Sequence, residues 1–418
     1  MELKEKVTLQ AKRAKEASYA MMKATTMEKN NALKTIAGEL ETNRAHLKEE
    51  NKKDIEAGRA KGLSKAFIDR LTLDYKHIDN MIKSLHDVIA LKDPVGEITE
   101  EWLRPNGMKV TKMRMPLGVV GIIFESRPNV GVEESSLTMK SGNSVILRGG
   151  SDAFNSNICI GNIIKDSIKK SGLPEGAVEV MDNADRETVA ILLKQKEYVD
   201  VIIPRGGKGL VDFVSGNTMI PVIYHDAGIC HTYVDSDADI DMAVKVSINA
   251  KVQRPSTCNS METLLVHSDA AERFLSIMKL ELENAGVEVR AEAKAKKYLP
   301  EALDAIDKDF RTEYNDMILN VKVVENIEEA IWHINNYGSH HSDAIITKNA
   351  EAGLKFTREV DSAVCFVNAS TRLNDGFEFG LGAEMGISNQ KLHVRGPMAL
   401  RELTSEKYVI QGSGQIRG

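Results

Sequence analysis

Gly118-Val119-Val120-Gly121-Ile122-Ile123-Phe124 is an unbroken apolar run, closed by the polar stretch that begins at Glu125. A strand with one wet face alternates apolar and polar side chains. A run without alternation predicts a strand buried on both faces, as in a parallel sheet covered by helices. Ser144-Val145-Ile146-Leu147, Val178-Glu179-Val180-Met181 and Val199-Asp200-Val201-Ile202-Ile203 have the same texture. Asn157 to Lys170, stopped by Gly172, reads as a helix between them. Strand and helix in alternation predict a doubly wound α/β sheet.

Outward from that core, a second set of apolar runs begins after Gly228: His231 to Val234, Glu262 to Val266, Met317 to Val324, Ala344 to Thr347 and Ala363 to Val367. Helical patterns over Asp239 to Lys251, Ala270 to Gly286 and Ile327 to Asn336 separate them. The residues before Glu97 read as helices, with Thr25 and Glu28 spaced as a capping box and Ser64 as a second cap. Pro105-Asn106-Gly107 lies between two extended arms, and Asn-Gly is a strong hairpin signal. Lys407-Tyr408-Val409-Ile410-Gln411 is a short strand able to join that hairpin. The expected organisation is a dinucleotide-binding domain over 1–100 and 117–227, a catalytic domain over 228–390, and a small β-arm for oligomerisation over 101–116 and 391–418. A homo-oligomer is expected.

Composition narrows the function. The chain has 418 residues, 42% hydrophobic and 28% charged, which excludes a disordered or collagen-like polymer. A net charge of −6 and 5% aromatic residues argue against nucleic acid as a partner. No apolar stretch is long enough to span a bilayer, and Met1-Glu2-Leu3-Lys4-Glu5-Lys6 does not read as a secretory signal. Cys159, Cys230, Cys258 and Cys365 are scattered, without CxxC or zinc spacing. That usage fits a reducing cytoplasm, with chemistry on a single thiol and no metal.

Open parallel sheets bind ligands at the carboxyl ends of their strands. After Phe124 comes Glu125-Ser126-Arg127-Pro128-Asn129; the Asn129 amide reads either as a donor to an oxyanion or as a cap on the next helix. After Leu147 comes Arg148, a cation where a dinucleotide's adenosine ribose would lie, pointing to NADP(H) or else a turn residue. After Ile203 comes Pro204-Arg205-Gly206-Gly207-Lys208-Gly209, a glycine turn or a phosphate cradle, matching neither GxGxxG nor a P-loop. Cys258 sits in the polar turn Gln253-Arg254-Pro255-Ser256-Thr257-Cys258-Asn259-Ser260, where Arg254 would favour the thiolate. The other three cysteines read as inert, Cys159 and Cys365 within apolar surroundings.

In this order, the pieces resemble the aldehyde dehydrogenase superfamily, and within it the glutamate-5-semialdehyde dehydrogenase (γ-glutamyl phosphate reductase) family. Val324 to Ile345, which includes Trp332-His333-Ile334-Asn335-Asn336-Tyr337-Gly338-Ser339-His340-His341, fits that family's signature; Phe379 to Ser388 and Leu392 to Pro397 are also similar to it.

The resemblance implies NADPH-dependent reduction of L-glutamyl 5-phosphate to L-glutamate 5-semialdehyde and phosphate through a cysteine thioester, the second step of proline biosynthesis. It implies Cys258 as nucleophile, with Asn129 and the Cys258 main-chain N–H on the oxyanion. It places Arg148 and Gly206, Gly207, Lys208 and Gly209 on the cofactor's adenosine ribose and pyrophosphate, and Glu313 on the nicotinamide ribose. Arg127 and Arg254 are candidates for the substrate phosphate, Arg395 for its carboxylate, and His341 for a structural or orienting role. Tyr224-His225-Asp226-Ala227-Gly228 carries His225 where hydrolytic members carry the Glu that activates water, which fits a thioester that is not hydrolysed. An acyl phosphate is labile in water, so the upstream glutamate 5-kinase is a further candidate partner.

Overall fold

The computed structural model describes residues 2–125 and 127–417. The chain forms two units: Met1–Tyr224 with Leu381–Gly386 and Met398–Gly418, and His225–Gly380 with Ile387–Pro397.

In the first unit four parallel strands lie in the order Val178–Val180, Ser144–Gly149, Val119–Phe124, Val201–Arg205. All six residues of Val119–Phe124 are buried, as the unalternating run predicts. Gly118, at φ 122°, opens that strand. A Cβ there would collide with the Asp200 carboxylate, which instead accepts the Val119 N–H at 2.8 Å and pairs with Lys15 at 2.9 Å. The helix Leu3–Met21 packs Val7, Ala11 and Ala14 onto Val119, Ile123 and Ile146; spacings of four and three put them on one helix face. Thr25 and Glu28 close the capping box of Thr26–Thr42, and Ser64 caps Lys65–Leu71.

Within the same unit Ile98–Leu103 and Lys109–Pro116 form an antiparallel hairpin with Trp102 opposite Val110, and Thr404–Gln411 pairs antiparallel along its second strand. Tyr408 meets Trp102 edge to face at 6.3 Å. The outer strands Ile98–Leu103 and Thr404–Gln411 expose most of their residues.

The second unit is a seven-stranded parallel sheet in the order Leu303–Asp304, Glu288–Ala291, Ile318–Val324, Met261–His267, Cys230–Val234, Ser342–Ile346, Val364–Val367. The strand Glu288–Ala291 and the two-residue edge strand Leu303–Asp304 are additions to the expected set. Both are short and carry charged residues, so periodicity gives them no signal. The helix Ser268–Ala285 buries Phe274, Leu275, Met278 and Leu282 against the sheet. The segment 381–386 and everything after Pro397 return to the first unit, so that unit's C-terminal part begins before residue 391. Among the described residues no helix is long and apolar enough to cross a membrane.

Candidate active site

In the first unit the sheet order reverses between Val119–Phe124 and Val201–Arg205, the switch point where open α/β sheets take ligands. The two strand ends are tied there: the Glu125 N–H donates to the Arg205 carbonyl at 3.0 Å, and the Gly207 N–H to the Glu125 carboxylate at 3.0 Å. Gly207 is the uncapped N-cap of the helix Lys208–Asn217. Open space surrounds the positions where Gly207 and Gly209 would carry a Cβ. A helix start leaves its first N–H groups without intrahelical partners and favours an anion. Apart from the Glu125 carboxylate on the Gly207 N–H, this glycine-lined helix start is open and fits a dinucleotide pyrophosphate. Lys208 is exposed and pairs with Asp212 one turn on, at 3.3 Å.

Arg148 ends the neighbouring strand Ser144–Gly149 and is nine-tenths buried. One guanidinium nitrogen donates to the Ala184 carbonyl at 2.6 Å, while its Nε is buried without a partner. It is therefore a fixed cation at a strand end, its charge disfavoured by burial and then by nearby Arg186. Asn129 precedes the helix Val130–Lys140, but its side chain does not cap that helix. Its amide donates instead to the Glu133 carboxylate at 2.9 Å. An amide has two N–H donors, and Glu133 engages one. Burial pushes the Glu133 carboxyl up. Arg127 lies exposed beside it.

In the second unit the thiol lies at the opposite end of the strands. Gly228 precedes the strand Cys230–Val234, Cys258 precedes Met261–His267, and His341 precedes Ser342–Ile346. Cys258 is partly exposed. Behind it, a Cβ on Gly228 would come within 2.5 Å of the Cys258 Cα and 2.6 Å of its carbonyl carbon. The Gly228 N–H in turn donates to the Glu313 carboxylate, which burial otherwise pushes up. Glu313 thus sits one hydrogen bond from the glycine on which Cys258 rests.

The Cys258 carbonyl accepts the Cys230 thiol at 3.2 Å. Cys230 is buried, which pushes its pKa well up and keeps it a neutral thiol. His341 is buried and held near pKa 3 by burial and then by His225, whose ring lies 5.7 Å away. Neutral His341 bonds the Ser342 hydroxyl at 2.7 Å, and that hydroxyl accepts the Asn374 amide at 2.7 Å. His341 also lies 3.8 Å from the Cys230 sulfur, the thiol that donates to the Cys258 carbonyl. Arg395 is engaged by Asp361 at 2.8 Å, and Lys391 reaches the same carboxylate at 2.6 Å. Arg254 is exposed on the thiol turn. Cys159 and Cys365 have pKa values pushed up to about 11 by burial; Cys365 is only half buried.

Three side chains at the thiol turn were not foreseen. Asn259 is buried, accepts from Arg372, and donates to the Asn374 carbonyl at 2.9 Å. Arg372 also donates to Gln253 at 2.9 Å. The contacts join residues 113 or more positions apart, which no local pattern announces.

The aldehyde dehydrogenase family profile matches residues 2–296. The chain is similar to the γ-glutamyl phosphate reductase of Thermodesulfovibrio yellowstonii, 54% identical over 417 residues and the full length of both chains. It is 50% identical to that of Caldanaerobacter subterraneus over 411 residues, 98% of this chain and 99% of that one. The crystal structure of the γ-glutamyl phosphate reductase from Thermotoga maritima superposes with a TM-score of 0.97 at 47% identity, covering 99% of this chain and 100% of that one.

Proposed function

The chain belongs to the aldehyde dehydrogenase family, and on that premise we propose that it is an NADPH-dependent γ-glutamyl phosphate reductase that makes L-glutamate 5-semialdehyde through a thioester on Cys258. The observation that carries the reading is the mounting of Cys258: a partly exposed thiol in a polar turn, its main chain braced by Gly228.

The nicotinamide cofactor supplies hydride when bound. The start of the helix Lys208–Asn217 would hold its pyrophosphate, Arg148 its adenosine ribose, and Glu313 its nicotinamide ribose. Cys258 attacks the acyl carbon of the acyl phosphate. The sulfur–carbon bond forms, the carbon–oxygen bond to phosphate breaks, and the thiol proton ends on the departing phosphate. The Cys258 main-chain N–H and the Asn129 amide are the proposed donors to the oxyanion; one such donor is worth about 3–4 kcal/mol. Reduction of the thioester and release of the thiolate yield the aldehyde. Splitting one displacement into two steps is the advantage of the covalent route.

A hydrolytic dehydrogenase would need a base for water. By the family resemblance, His225 takes the place of that Glu, which supports a thioester that awaits phosphate. The test is absorbance of the reduced nicotinamide on mixing the protein with glutamate 5-semialdehyde, NADP⁺ and phosphate. Omission of any one component should abolish the signal. Undiminished reduction of NADP⁺ without phosphate would establish hydrolysis instead.

A further inference from the structure

We propose that Arg372, together with Arg254, forms the subsite that takes the phosphoryl group of the acyl phosphate and, in the reverse direction, inorganic phosphate. The inference rests on the acyl-phosphate reading above and adds to it a residue that the thiol turn does not itself contain.

Arg372 belongs to the short turn Thr371–Leu373, far from Cys258 in sequence. It reaches the thiol turn from outside and bonds both ends of it. Its Nε donates to the Gln253 amide oxygen at 2.9 Å, and its Nη1 to the Asn259 side-chain oxygen. Asn259 is the residue after Cys258, and Gln253 the residue before Arg254. The anchor is itself secured: Thr371 donates to the Asn259 carbonyl at 2.7 Å, and Asn259 donates to the Asn374 carbonyl. Bonds from Nε and Nη1 fix the plane of the guanidinium, and Nη2, which makes no hydrogen bond among the described residues, is left to meet a phosphate oxygen.

The charge at this turn is unbalanced. Among the described residues, neither Arg254 nor Arg372 has a carboxylate within ion-pair distance. Burial disfavours the Arg372 charge most and nearby Arg254 disfavours it further, while Cys258 and Asp375 relieve it in part. A neutral side chain would staple the two turns as well, without the repulsion. Two like charges at one turn are stabilised by an anion, and the dianionic phosphoryl group leaves from the carbon that Cys258 attacks. Its negative charge grows as the carbon–oxygen bond breaks, so cations here favour the transition state over the bound substrate.

The test uses the full-length enzyme in the reverse direction with Arg372→Gln and Arg372→Lys. Arg372→Gln should raise KM for inorganic phosphate roughly ten- to a hundredfold, the range of a lost hydrogen bond to a charged group. KM for NADP⁺ should stay within about twofold, and Arg372→Lys should recover part of the loss. A second reading needs no turnover: inorganic phosphate should slow alkylation of Cys258 by iodoacetamide in the wild type and fail to do so in Arg372→Gln. A phosphate KM unchanged in Arg372→Gln, with only kcat reduced, would make Arg372 a staple and overturn the subsite. A wild-type enzyme indifferent to phosphate would instead remove the acyl-phosphate reading on which the subsite depends.

Discussion

The main chain of Cys258 rests on Gly228, with its Cα 2.5 Å from where a Cβ on that glycine would stand. Gly228 also gives its N–H to Glu313. One glycine therefore joins the main chain of the proposed nucleophile to the carboxylate proposed to hold the nicotinamide ribose. The close approach to Cys258 does not tolerate a side chain at 228 without movement of the Cys258 backbone. The Cys258 N–H, the proposed oxyanion donor, would move with it.

Gly228→Ala should therefore cost turnover far more than stability. Misplacement by about 1 Å is enough to lose on the order of a hundredfold in rate. Steady-state kinetics beside a thermal melt checks this. A variant with wild-type kcat would show that the turn relaxes without cost.

Cys258→Ala should abolish turnover and leave NADPH binding intact, read by nucleotide fluorescence. Cys230 does not substitute: it is buried, its thiol held neutral, and it donates to the carbonyl of Cys258. Residual reverse activity of even about a tenth would leave no place for the covalent route, since nucleophile removal elsewhere costs orders of magnitude.

Much of the fold was legible because buried parallel strands write themselves as apolar runs: Val119–Phe124 is apolar and buried throughout, whereas Ser342–Ile346 is buried too but begins with Ser and Asp, so only its part from Ala344 on could be read. The carboxyl-end rule pointed to Arg148, at the end of the strand beside the switch point, and to the Gly206–Gly209 turn, at the switch point itself. It has no purchase on Cys258, which lies at the amino ends of the second sheet's strands; only the polar turn and the family resemblance marked it. Arg372 and Asn374 were illegible because their role is tertiary. Each reaches Asn259 across more than a hundred residues through single hydrogen bonds, which leave no periodic trace.

Arg148→Ala should weaken NADPH far more than NADH. The side chain is a buried cation with an unpartnered Nε, anchored to the Ala184 carbonyl at 2.6 Å. Loss of the anchor alone would loosen the 184–185 turn and weaken both nucleotides alike. Loss of a contact to the 2′-phosphate removes a charge-assisted hydrogen bond from NADPH only, roughly 1.5–3 kcal/mol. Titration of both nucleotides separates the two. Equal weakening would confine Arg148 to holding the turn.

Glu134→Gln should change how stability depends on pH. Burial pushes the Glu134 carboxyl up to about 8, against a smaller opposing pull from Arg205 at 3.2 Å, and its Oε2 has no hydrogen-bond partner. The native state therefore keeps a proton that the unfolded chain releases near the ordinary carboxyl pKa. A carboxyl pKa raised on folding contributes stability that is present in acid and is lost as pH rises toward 8. For one proton the slope is at most about 1.4 kcal/mol per pH unit. Glutamine has no proton to lose and still offers an oxygen to Arg205. Urea midpoints of wild type and Glu134→Gln, measured from pH 5 to 9, should diverge in favour of the variant as pH climbs to 8 and run parallel above it. Midpoints that stay parallel throughout would mean that Glu134 is already ionised in the folded protein, with Arg205 as its full counter-ion.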